Sequence, residues 1–125
     1  MTEKITMICN GKRIVIQLEP SIIAEKLLKI LPFSSKVSRW GREIYFSLPF
    51  SAEVQELQEV VQKGDVAYWP PGRALCIFWG TTPASMGDEI RAASGVFVMG
   101  RVMDGMDILE SEGIREDEKL VLEEL

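Results

Sequence analysis

Two stretches of this chain hold the residues best suited to do chemistry. One is Gly64–Pro83, GDVAYWPPGRALCIFWGTTP, with two of the three Trp, three of the six Pro and one of the two Cys. The other is the shorter SRWGREIYF, Ser38–Phe46. The chemistry these residues offer is binding. Aromatic rings beside a tight Pro-Pro-Gly turn make a platform for a ligand, and an arginine stacked on a ring makes an anion or carbonyl receptor. Neighbours in a strand face opposite sides, so only one ring of Tyr68-Trp69 and one of Phe78-Trp79 can fill a core. The other ring of each pair lies on the outer surface, under a helix or in a groove. The candidate groove is therefore Arg39 or Arg42, with Tyr45, Trp69, Phe78 and Trp79.

Other chemistries are excluded by what is missing. The chain has no histidine, which removes Ser-His-Asp and Cys-His nucleophiles, His metal ligands and His proton shuttles. No GxGxxG or P-loop sequence occurs. Cys9 and Cys76 lack metal-ligand spacing and read as buried thiols, Cys76 as a small core residue with only Arg73 near it in sequence to activate it. Asp104 and Asp107 suit a turn and a helix start better than a metal site. Thr81, Thr82 and Ser85 read as residues that satisfy loop backbone. No metal and no cofactor is expected.

Size and charge set the frame. A chain of 125 residues is expected to be a single domain, 1–125, large enough to bury a core without a disulfide or metal staple. No apolar run approaches the ~20 residues that span a bilayer, and MTEKITMICNGKR lacks the hydrophobic stretch of a signal peptide. The expectation is a cytoplasmic protein that meets no membrane, with its thiols reduced. A net charge of -5 disfavours nonspecific nucleic-acid binding. Residues 1–42 carry eight Lys/Arg against three Asp/Glu, and residues 110–125 carry two against seven, which suggests one basic and one acidic face.

The elements that must position the groove follow from pattern. Asn10-Gly11 between Ile5–Cys9 and Arg13–Leu18 is a strong hairpin signal. Pro20-Ser21 opens a helix that runs to about Leu31, with Ile23, Leu27, Ile30 and Leu31 at helical spacing and Pro32 ending it. Lys36–Trp40 and Glu43–Leu48 read as strands around Gly41. Ile44, Phe46 and Leu48 alternate there with Glu43, Tyr45 and Ser47. Ser51–Lys63 fits either a helix capped by Ser51 or an extended segment with a turn and a short strand. Val66–Trp69 and Ala74–Trp79 flank Pro70-Pro71-Gly72, which predicts a type II turn with positive φ at Gly72. After a loop at Gly80–Ala93, Ser94–Met103 reads as a strand with Val96, Val98, Gly100 and Val102 on one face and Phe97 and Met99 on the other. A short helix, Met106–Ser111, and a last strand, Lys119–Leu125, complete the chain. Turns too short for parallel crossovers make the sheet mainly antiparallel. About eight strands with two capping helices predict a mainly β protein, a closed antiparallel barrel.

Segments of the chain resemble known sequences in the same order. VFVMGRVMDGMDILES, Val96–Ser111, resembles the late strand-turn-helix of cyclophilins, with Gly100, Val102, Gly105, Met106 and Ile108 fitting the pattern. Gly64–Pro83 is similar almost throughout to a hallmark stretch of small, largely uncharacterised cyclophilin-like proteins of bacteria and archaea. The resemblance extends over nearly the whole chain, implies a cyclophilin-like barrel, and tilts Ser51–Lys63 towards a strand and loop. Cyclophilins are peptidyl-prolyl isomerases in which an Arg guanidinium hydrogen-bonds the prolyl nitrogen and apolar side chains grip the proline ring. Arg39 or Arg42 could stand in for that Arg, but neither follows a Phe-His pair. Ala74-Leu75-Cys76 stands where the Gln-Phe-Phe strand would be. The resemblance therefore implies a non-catalytic groove for a peptide or small molecule, with a divergent isomerase as the alternative. The fold also occurs among subunits related to allophanate hydrolase and kinase inhibitors, which implies a third reading, a protein partner in an amide-cleaving enzyme.

Overall fold

The opening hairpin shows how local chemistry becomes structure. A computed structural model describes residues 3–125, so Met1 and Thr2 of the N-terminal stretch lie outside it. Strands β1 (Glu3–Cys9) and β2 (Lys12–Leu18) pair antiparallel across Asn10-Gly11. Both turn residues have positive φ, 51° and 77°, the left-handed geometry that Asn and Gly adopt at least cost. Ile14, Ile16 and Leu18 face one side and are fully buried. Each such side chain contributes roughly 1.5–3 kcal/mol relative to leaving it in water.

Helix α1 (Ile22–Ile30) follows, capped by the Ser21 hydroxyl, which accepts from the Ala24 amide at 3.1 Å. The cap contributes about 1 kcal/mol. Pro20 precedes the cap instead of sitting in the first helical turn. Ile23, Ala24 and Leu27 are buried and close one end of the core. Beyond the helix come β3 (Phe33–Lys36), β4 (Ser38–Arg39), β5 (Glu43–Ser47), β6 (Gln58–Val61), β7 (Asp65–Trp69), β8 (Ala74–Phe78), β9 (Ile90–Asp104), α2 (Met106–Glu110) and β10 (Lys119–Glu124). All strand pairings are antiparallel.

The expected closed eight-stranded barrel is corrected to a ten-stranded sheet that hydrogen bonds do not close. Its order is β3-β10-β1-β2-β9-β7-β8-β5-β4, with β6 attached to β9 off this path. The two end strands, β3 and β4, are neighbours in the chain, separated only by Val37. That residue is 1% exposed and bonds through its backbone to Asp117 and Glu118. Covalent continuity, not a ladder, carries the chain from one sheet edge to the other. The inner face holds the main core, drawn from β1, β2, β5, β7, β8, β9 and β10, with α1 and Leu109 of α2.

The long strand β9 builds a second layer. Its start pairs with β6, its middle with β7 and its end with β2. A register shift lies opposite Val66/Ala67, where Val66 pairs with Gly100 and Ala67 with Val98. The extra residue there, Met99, resets the alternation. Phe97, Met99 and Val102 all contact the main core, and Val102 does not share a face with Val96 and Val98 as expected. Gly100 is needed at this crossing, because a Cβ would collide with the Gln17 carbonyl of β2. Val61 of β6 and Ile90, Ala92 and Val96 of β9 pack on the outer face of β7 and β8, against Ala67, Ala74, Cys76 and Phe78.

Four further expectations resolve here. Ser51–Lys63 is an irregular stretch followed by β6, not a helix. The Pro70–Gly72 segment is a 3-10 turn, and the positive φ falls on Arg73, at 48°, not on Gly72. Gly72 serves a different purpose: the Trp69 ring lies on it, so a Cβ would stand 2.7 Å from Cζ3. The basic and acidic segments, expected on separate faces, also meet. Arg39 pairs with Glu112 at 3.3 Å, and its amide donates to Glu116. Cys9 and Cys76 are free and buried.

Candidate functional site

Strands β5 and β8 lie side by side, with Tyr45 opposite Cys76 and Glu43 opposite Phe78. Alternation sends Ile44 and Phe46 into the core together with Leu75 and Ile77. Glu43 and Tyr45 go to the other face with Cys76. On that face is a pocket of about 190 Å³, lined by Trp40, Glu43, Tyr45, Trp69, Cys76, Ala92, Ala93 and Val96. Its wall is three partly exposed aromatic side chains and its floor is small and apolar.

The Trp69 ring is held directly, and the other two are placed by their backbone. The Trp69 indole donates from Nε1 to Ser94 Oγ at 2.7 Å and rests on Gly72. Trp40 belongs to the β4–β5 turn, where its amide donates to the Glu43 carbonyl at 3.0 Å. The same turn is fastened to the loop after β8. The Arg42 amide donates to the Thr81 carbonyl, and the Trp79 amide to the Arg42 carbonyl, each at 3.0 Å. Gly41, with φ of 64°, packs so closely there that a Cβ would lie 2.8 Å from Pro83 Cδ. Tyr45 is fixed by its place in β5.

Glu43 is the one charged residue in this lining, and it is 5% exposed. Burial disfavours its ionised form and pushes its pKa up to about 7, while hydrogen bonding from the Cys76 thiol pulls it partly back. Burial pushes the Cys76 thiol well up, and the facing Glu43 charge adds to that. Cys76 therefore stays protonated and is a poor nucleophile. Among the described residues no Lys or Arg makes a salt bridge to Glu43. No cluster of three His, Cys, Asp or Glu side chains that could hold a metal ion occurs among them either.

The six residues read from the sequence as a groove are not brought together. Tyr45 and Trp69 line the pocket. Phe78 has no exposed surface and packs in the outer layer beneath it. Trp79 is 6% exposed and belongs to the main core. Arg39 stacks on Trp79 at 5.3 Å and donates to the Gly41 carbonyl at 2.9 Å and to Glu112. It borders a separate depression, with Gly41, Ser111, Glu112, Arg115 and Glu116. Arg42 is exposed and its side chain lies against Gly80. Neither arginine lines the aromatic pocket.

Trp40 and Glu43 are the pocket residues that the sequence reading left out. The alternation of Glu43, Tyr45 and Ser47 already put Glu43 on the Tyr45 face. What it could not supply was the cover: β6 and the start of β9 fold over that face and turn a polar surface position into a buried one.

The fold and the site together define the class: a mainly antiparallel β protein with two helices and an aromatic-walled pocket on the outer face of its sheet. The chain belongs to the cyclophilin-like family, whose model matches residues 3–123. Among solved structures it is similar to the solution structure of a hypothetical protein from Archaeoglobus fulgidus. The two are 34% identical over 98% of this chain and 95% of that one, with a TM-score of 0.83. A comparison with the curated proteins finds no match. No helix among the described residues is long and apolar enough to cross a membrane.

Proposed function

We propose that this chain is a non-catalytic binding protein whose ligand-contacting surface is the pocket walled by Trp40, Glu43, Tyr45 and Trp69. The observation that carries the proposal is three partly exposed rings around one small cavity, with the Trp69 indole bonded to Ser94 and the turn that carries Trp40 fastened through its backbone. Apolar walls with a single polar group are the usual make-up of a small-ligand site. The size suits one amino-acid side chain of a peptide or the head group of a small molecule. Arg39, Arg42, Phe78 and Trp79 support the walls without touching the ligand.

The isomerase alternative needs a guanidinium beside the ligand's amide. Arg39 is engaged by Trp79, Gly41 and Glu112, and Arg42 lies outside the lining, which favours binding over turnover. Two measurements test the proposal. Amide and indole NMR shifts during titration with a small-fragment set should cluster at Trp40, Tyr45, Trp69 and Ala92; clustering anywhere else overturns the assignment. A proline-peptide isomerisation assay should show no acceleration. Acceleration that disappears in Arg39→Ala or Arg42→Ala would replace binding with catalysis.

A further inference from the structure

The pocket joins three features: indole and phenol rings on its walls, one carboxyl in its lining, and no basic residue. Aromatic faces carry negative quadrupole charge and attract cations, most strongly when water is excluded. A carboxyl buried without a cationic partner is an incomplete electrostatic arrangement, since a buried charge is stable only when paired. Glu43 is such a group: 5% exposed, with no ion pair among the described residues and only the Cys76 thiol bonding to it. Both features lack the same thing, a positive charge of modest size. A bare ammonium would need hydrogen-bond acceptors on several sides, and the apolar floor of Cys76, Ala92, Ala93 and Val96 offers almost none. An alkylated ammonium carries its charge on a methyl-covered surface and needs no such acceptors.

We infer that the pocket binds a quaternary or alkylated ammonium group, with Trp40, Tyr45 and Trp69 packing on its methyl groups and Glu43 supplying the countercharge. The inference rests on the binding role proposed above and adds the ligand's chemical class. The same chemistry is found on a free small ion and on a methylated lysine side chain.

Ionised Glu43 is the form that attracts the cation, and a bound cation in turn stabilises that form. Binding therefore releases a proton below the unliganded pKa of about 7, and affinity rises with pH through that value and then levels. The other ionisable groups in the lining are Cys76 on β8 and Tyr45 on β5. Trp69 on β7 and Ala92, Ala93 and Val96 on β9 add none. Cys76 is held protonated, so Glu43 alone sets this profile.

The test compares choline with 3,3-dimethylbutan-1-ol, its neutral isostere, by NMR titration of the full chain at pH 8. Choline should bind at least about tenfold more tightly than the isostere, a difference of about 1.4 kcal/mol. Glu43→Gln should remove most of that margin and flatten the pH profile. A peptide bearing Nε-trimethyllysine, run beside the unmethylated peptide, tells a side-chain ligand from a free ion. Equal or tighter binding of the isostere overturns the ammonium inference and leaves the binding role standing. Absence of binding by both choline and the trimethyllysine peptide also overturns it, and the fragment titration then judges the binding role separately. A choline affinity that stays constant between pH 5 and pH 8 counts against Glu43 even if choline binds.

Discussion

The two faces of strands β5 and β8 are built from alternate residues of the same few segments, yet they follow opposite rules. Inward go Ile44, Phe46, Leu75, Ile77 and Trp79, all apolar, mutually packed and at most 6% exposed. Outward go Glu43, Tyr45, Ala74, Cys76 and Phe78: one acid, two rings, a thiol and a methyl. The inner face is closed by the rest of the sheet and by α1. The outer face is closed only in part, by β6 and the start of β9, and the uncovered part is the pocket. Filling the inner face stabilises the fold. The outer face tolerates a buried carboxyl and an unfilled cavity, both of which cost stability, so packing alone does not account for its composition, and the proposed ligand rests on that difference.

That contrast is broken most easily by truncating neighbours on β8. Leu75→Ala should cost about 2–5 kcal/mol, as expected for a large apolar side chain in a sealed core. Cys76→Ala, one residue away and equally hidden, should cost only about 1 kcal/mol at about pH 5, where Glu43 is protonated and does not depend on the thiol's hydrogen bond, because it removes a single small group beside an existing cavity. Urea unfolding reads both. Equal losses would mean that the outer face is as tightly filled as the inner one.

The second test reverses the usual sign of a mutation. Burial lifts the Glu43 pKa in the folded state from 4.5 to about 7. Between those values the folded protein holds a proton that the unfolded chain has released. Stability therefore falls as pH rises through that window, and the penalty is complete above about 7. Glu43→Gln removes the ionised form, so it should stabilise the unliganded protein at pH 8 by on the order of 3 kcal/mol. The gain should vanish below pH 4.5, where wild-type Glu43 is protonated in both states. Thermal melts at the two pH values check it, and a variant less stable at pH 8 than wild type would refute the unpaired-carboxyl reading.

The sequence carries the inner face well because alternation, turn residues and capping are local signals. Asn10-Gly11, the helix start near Pro20-Ser21 and the Ile44/Phe46/Leu48 register read correctly for that reason, while the Ser21 cap itself shows only in the structure. It carries the outer face poorly because that face depends on which distant strand lies over it. Nothing local says that β9 bulges at Met99 and changes partners along its length, or that β6 branches off the sheet path. Tyr45 and Trp69 were legible as outward rings once a strand was assigned. Trp40 sits in a turn, where alternation has no force, and Glu43 reads as an ordinary solvated acid until its cover is known. Trp79 was misleading for a different reason. Both members of Phe78-Trp79 are buried, one on each face, so neither ring of that pair is left over to serve as a platform.

Gly72 sharpens the comparison at a smaller scale, because it acts on one wall of the pocket and not on the core. Any side chain there meets the Trp69 ring within 3 Å. Gly72→Val should push the indole off Ser94 at a cost of about 1–3 kcal/mol, the usual range for overpacking. The change should appear in the near-ultraviolet circular dichroism and in the Trp69 indole resonance, with β1, β2 and β10 unaffected. Shifts spread across those strands would show that the two faces are mechanically coupled.

The smallest expected effect lies in the loop that leads into β9, ahead of Ala92 and Ala93 in the pocket lining. The Glu89 carboxylate accepts from the Met86 amide at 2.9 Å and the Gly87 amide at 2.7 Å, and from Arg91 Nε at 3.1 Å. Arg91 in turn pairs with Glu59 of β6, the strand that pairs with the start of β9. The Met86 amide first, with Arg91 and the Gly87 amide, holds the Glu89 pKa down to about 2. A depressed carboxylate stabilises the fold above its ordinary pKa and loses that contribution as pH falls towards the folded value. Glu89→Gln should therefore speed hydrogen exchange at Met86 and Gly87 by several-fold near neutral pH, and wild type should approach the variant as pH drops towards 2. Core amides on β1 and β2 should exchange identically in both proteins. Ligand affinity decides whether the loop matters to the pocket. If Glu89→Gln leaves it untouched, Trp40 with β5, β7, β8 and β9 preforms the pocket without help from the loop. If affinity falls, the loop that leads into β9 is also part of how the ligand is held.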